Sequence, residues 1–66
     1  MTVTQEQFEE MVEDMTTDLI SIVMEREGLT MPDAFHKVYN SPVYGALRNP
    51  DSHLYYQSPG YVYSCM

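Results

Sequence analysis

Seven apolar side chains, Phe8, Met11, Val12, Met15, Leu19, Ile22 and Val23, are spaced so that each has another three or four positions away. Only an α-helix gathers residues so spaced into one stripe; a strand would scatter them over both faces. Thr4 is placed to cap such a helix, and Gln7, three residues on, to complete a capping box. Val3 and Phe8 fall at the two hydrophobic-staple positions around that cap. Gly28 suits the left-handed position beyond the last turn, with Leu29 set to touch Met24 as in a Schellman motif. The helix so bounded, 5–27, runs about 34 Å at 1.5 Å per residue. That is long for a chain of 66 residues.

The rest of the chain divides at its capping signals. Thr30-Met-Pro-Asp33 opens a helix over 31–40, with Pro32 in the first turn and Ala34, Phe35, Val38 and Tyr39 as its apolar face. Ser41-Pro42 starts a short helix over 42–48 that Asn49-Pro50 stops, and 51–57 reads as a loop. Ser58-Pro59 repeats the device for a last helix over 59–65. The expected fold is all-α: one domain, 1–66, with a long helix packed against three short helices and no sheet. Leu19, Ile22, Val23, Phe35, Val38 and Leu47 are its expected core.

A single core in a domain this small is barely sufficient, and such domains often add disulfides, a metal or a partner chain. Cys65 is the only cysteine, which rules out an internal disulfide. His36 and His53 with one thiol do not close a four-ligand zinc site. No metal or cofactor is expected, and Cys65 reads as a small buried hydrophobe. A partner is the remaining supplement. The first helix is longer than three short ones can cover, so the sequence predicts a homodimer that pairs Phe8, Met11, Met15 and the terminal tyrosines. The start of the chain lacks a basic and an apolar leader region, and no apolar run approaches the ~20 residues of a membrane span. With its lone cysteine this suggests a cytoplasmic protein.

Charge narrows the partners. Eight acidic residues precede Gly28 against one base, Arg26, so that segment carries −7 and the remainder is neutral. A domain with three bases and a pI near 4.3 has no electrostatic footprint for phosphate backbones or anionic membranes. Glu6/Glu10, Glu9/Glu13, Glu10/Asp14 and Asp14/Asp18 are like-charge pairs one helical turn apart, each mildly destabilising. They make either a solvated face that keeps the chain soluble or a surface for a basic partner.

Two features carry candidate sites. Tyrosine and methionine each occur six times; both suit adaptable contact surfaces, and so many hydroxyls are difficult to satisfy inside one small core. Phe8, Met11, Met15, Tyr55, Tyr56, Tyr61 and Tyr63 are the expected partner-binding residues. The other feature is Arg48-Asn49-Pro50-Asp51-Ser52-His53. Its Arg-Asn-x-x-x-His form resembles the catalytic motif of HEPN ribonucleases, which implies a dimeric nuclease with His53 for proton transfer and Arg48 for phosphate. The same residues also read as a helix stop followed by a loop.

From about Thr17 onward the chain resembles a group of short bacterial proteins of unknown function, of the kind found in gut Bacteroidota. The stretches that carry this are Gly28-Leu29-Thr30, Asp33-Ala34-Phe35, Val38-Tyr39-Asn40-Ser41, and Leu54 to Tyr63. Such proteins often resemble small partners encoded beside toxin-like genes. They tend to have Thr-Gly where this chain has Ser52-His53, which weighs against His53 as a shared catalytic residue. The resemblance implies a family and a gene neighbourhood. The expected function is a non-enzymatic protein-interaction module, antitoxin-like or regulatory, that uses the tyrosine-rich second half as contact surface; a minimal ribonuclease using Arg48 and His53 across a dimer is the alternative.

Overall fold

The computed structural model describes residues 4–66, so the staple position of Val3 lies outside the described residues. Helix α1 spans Gln5–Glu27, α2 Met31–Tyr39, α3 Pro42–Leu47 and α4 Pro59–Ser64, with a 3₁₀ turn at Pro50–Ser52. The fold is all-α, one long helix packed against shorter ones, without a strand among the described residues.

The local chemistry explains the boundaries. Thr4 Oγ1 accepts from the Gln7 backbone N–H at 3.1 Å, and Gln7 Oε1 accepts from the Thr4 N–H at 3.0 Å, which satisfies two otherwise orphaned donors. Gly28 ends α1 at φ 66°, a conformation that costs an L side chain energy. Ser41 and Ser58 cap α3 and α4 by accepting from the Val43 and Tyr61 N–H groups. Thr30 holds the same extended N-cap backbone, yet its hydroxyl makes no capping bond. Proline in the first turn of α2, α3 and α4 lacks the N–H that such a position would leave unpaired.

The core runs along α1. Leu19, Val23, Ala34, Val38, Leu47 and Val62 are fully enclosed, with Phe8, Val12, Met15 and Val43 beside them. Four of the six expected core residues are therefore buried. Ile22 is half-buried at the edge. Phe35 is not core: it is 48% exposed. The reason is register. Ala34 and Val38, one turn apart, form the face of α2 turned to the core, and Phe35 projects about 100° around the helix from Ala34. Val62, absent from the expected core, is the residue by which α4 joins it.

The molecule measures 39 × 19 × 17 Å, its long dimension close to the length of α1. Both ends of the buried stripe are closed by the chain itself. Helices α2 and α4 pack on α1, and Tyr55, in the loop before α4, meets Phe8 edge-to-face with ring centroids 5.0 Å apart. The expectation that one end of α1 would stay open is corrected: the loop 53–57 supplies the lid that three short helices could not.

Candidate interaction surface

Because Ala34 and Val38 face the core, a second stripe on α2 faces outward. Met31, Phe35 and Tyr39 follow one another at intervals of four and are 62%, 48% and 40% exposed. Phe35 stacks on Tyr39 with centroids 4.2 Å apart and planes 22° from parallel. Tyr39 meets Tyr44 of α3 at 4.5 Å. The Arg48 guanidinium lies 5.9 Å from the centre of the Tyr44 ring, and its Nη1 donates to the Tyr44 hydroxyl at 3.3 Å. Three aromatic rings and a cation thus form a continuous ladder across α2 and α3.

One side of this ladder walls a groove of about 360 Å³ against the N-terminal half of α1. Glu9 and Glu13 stand on the α1 wall, Tyr39, Tyr44 and Arg48 on the other, and Phe8, Val12 and Thr16 line the floor. The Thr16 hydroxyl is satisfied by donating to the Val12 carbonyl at 2.7 Å. Burial pushes the Tyr39 hydroxyl above its ordinary pKa, helped by Tyr44 and the charge of Glu13. The hydrogen bond to Tyr44 raises Arg48 further, with Glu9 adding in the same direction.

The opposite flank of α1 repeats the arrangement in a shallower form. A groove of about 260 Å³ is lined by Met11, Asp14 and Asp18 on one side and by Tyr55 and Tyr56 on the other. In each groove two carboxylates one helical turn apart stand in the same cleft as two tyrosines.

The expected contact residues divide. Phe8 and Met15 are buried in the chain's own core and reach the surface only as lining of the two grooves. Met11 and Tyr55 are half-buried at the second groove, beside the exposed Tyr56. Tyr61 is exposed, while Tyr63 is half-buried, donating its hydroxyl to Glu27 at 3.2 Å beneath the Arg26 guanidinium. Cys65, expected to be buried, is exposed, because it is the C-cap beyond the last turn of α4, whose core contacts are made by Val62 and, in part, Tyr63.

Arg48 and His53 of the ribonuclease-like motif make their contacts in different places. Arg48 is the C-cap of α3 and engages Tyr44. His53 closes the 3₁₀ turn in a left-handed conformation, φ 60°, with its ring 6.0 Å from that of Tyr56. The helix has ended between them. Asn49 supplies the reason: its side chain accepts from the Asp51 N–H at 3.1 Å and starts the 3₁₀ turn.

Compared with known proteins, the chain matches no family model, no curated protein and no solved structure. Sequence reasoning missed Met31, Phe35, Tyr39, Tyr44, Glu9 and Glu13 as parts of one surface. The signal was present as two parallel i, i+4 series on α2, Ala34/Val38 and Met31/Phe35/Tyr39. Size alone favoured Phe35 for the core, whereas close approach of α2 to α1 favours alanine.

Proposed function

We propose that this chain is a non-enzymatic protein-interaction module whose contact surface is the aromatic ladder of α2 and α3. The observation that carries the reading is the exposed run Met31–Phe35–Tyr39, stacked and continued by Tyr44 and Arg48. Aromatic and methionine side chains clustered at a surface are among those enriched at the centres of interfaces. The alternative, a ribonuclease, would bring Arg48 and His53 together across a dimer; within the chain Arg48 donates to Tyr44 and His53 closes the following 3₁₀ turn. The net charge of −7 likewise opposes nucleic acid as the partner. No helix among the described residues is long and apolar enough to cross a membrane. An exposed, unpaired Cys65 fits a reducing compartment, the cytoplasm. The resemblance to small proteins encoded beside toxin-like genes suggests an antitoxin-like or regulatory role for the complex. Self-association is the second form of this reading. It would use Met31, Phe35 and Tyr39 in place of the enclosed Phe8 and Met15.

A photo-reactive phenylalanine analogue placed at Phe35, with the same analogue at the exposed Ser21 as control, tests the reading in the source cell. A discrete protein adduct from position 35 and none from position 21 is expected. Identical products from both positions, or none from position 35, would overturn it. His53→Ala in parallel should leave any cellular effect of the chain unchanged.

A further inference from the structure

We propose that the partner's contacting segment is basic, and that one of its Lys or Arg side chains enters the groove between α1 and the Tyr39–Tyr44 wall. This rests on the reading of the chain as an interaction module and adds the chemistry of what it binds.

Four features select a cation carried on a polypeptide. The groove, about 360 Å³, is at the small end of ligand clefts and suits one long side chain rather than a folded element. Glu9 and Glu13 stand one turn apart on its α1 wall and repel each other; a cation between them turns that repulsion into attraction. The opposite wall is built of Tyr39 and Tyr44, and Tyr44 shows that it tolerates a cation beside it, since Arg48 lies 5.9 Å from its ring centre. Arg48 already places its guanidinium against Tyr44 in this groove, so the site accepts such a group and leaves the Glu13 carboxylate for an incoming one.

The surroundings extend the same complementarity. The exposed Met31 and Phe35 beside the groove would receive apolar residues flanking the basic one. The second groove, with Asp14 and Asp18 facing Tyr55 and Tyr56, offers a further position for a positive side chain on the other flank of α1. The −7 carried by the segment before Gly28 steers a basic chain to α1 from a distance.

The test is fluorescence anisotropy with a short dye-labelled peptide of alternating arginine and leucine, titrated with the full chain and variants whose folding is confirmed by circular dichroism. Glu9→Gln with Glu13→Gln should weaken binding about tenfold. Glu6→Gln with Glu10→Gln changes the charge equally on residues that line neither groove, and should weaken it by about twofold or less. Arg48→Ala removes a competing cation and should strengthen binding about threefold, whereas Arg26→Ala, outside both grooves, should have a smaller effect. Equal losses from the two glutamate pairs would reduce the effect to general charge and overturn the proposal. Loss of binding in Arg48→Ala would overturn it too, because Arg48 would then be supporting the contact and not competing as a cation for the groove. Spermine binding as tightly as the peptide and displacing it would assign the groove to a free polyamine. A cross-link from position 35 to a partner without basic residues at the contact, or to a second copy of this chain, would overturn the basic-partner inference while the interaction reading stands. Absence of any cross-link would end both.

Discussion

Leu19 and Glu27 show how differently two residues of one helix act. Leu19 is fully enclosed near the middle of the α1 stripe, where a truncated side chain leaves a void that close-packed neighbours only partly fill. Leu19→Ala should cost roughly 2–5 kcal/mol, most of the stability available to a domain this small, and urea denaturation will measure it. Glu27 is a surface tie. Its carboxylate takes the Lys37 ammonium of α2 and the Tyr63 hydroxyl of α4. The bond to Lys37, more than that to Tyr63, holds its pKa below the ordinary glutamate value of 4.5. The unfolded chain therefore binds this proton more tightly than the folded one does. The stabilisation is complete above about pH 4.5 and is lost as pH falls through the lower folded value. Melting curves of the parent and Glu27→Gln should differ by a few degrees at neutral pH and converge on acidification. A gap that persisted at low pH would contradict this account. Individual core residues were legible where helical periodicity alone decided them, as at Leu19, Val23, Val38 and Leu47. Phe35 was not, because choosing between two adjacent stripes on α2 depends on how closely that helix approaches α1.

Helices, by contrast, were readable almost to their ends, since each boundary rests on a few neighbouring atoms. The Thr4–Gln7 box, the left-handed Gly28 and the three first-turn prolines are local chemistry, and local chemistry is written in adjacent residues. The loop over 53–57 was not readable in this way. Its role is to bring Tyr55 to Phe8, a contact across most of the chain that no spacing rule encodes. Tyr55→Ala should uncover that end of α1 and cost on the order of 2 kcal/mol. Hydrogen exchange should quicken in the first turns of α1 and leave the Leu19–Val23 region protected. Uniform loosening of the whole helix would show that Tyr55 does something other than close one end.

The whole molecule is a rod-like bundle, 39 Å in its longest dimension, that covers its own long helix and leaves an aromatic ladder outside. The sequence made a partner attractive as a means of completing the core, and the folded chain removes that motive: Phe8 and Met15 are inside. What remains for a partner is surface beside two acidic, tyrosine-lined grooves. Those grooves could not be read from sequence, because Glu9 and Glu13 come next to Tyr39 and Tyr44 only once α1 packs against α2. The central claim is that Phe35 is held for contact and not for the fold. Denaturation of Phe35→Ser at two protein concentrations tests it most directly. The account predicts a loss below about 1 kcal/mol, in contrast to the 3–5 kcal/mol typical of a buried phenylalanine. A loss of about 3 kcal/mol or more that persists on dilution would place Phe35 in the fold and contradict the account.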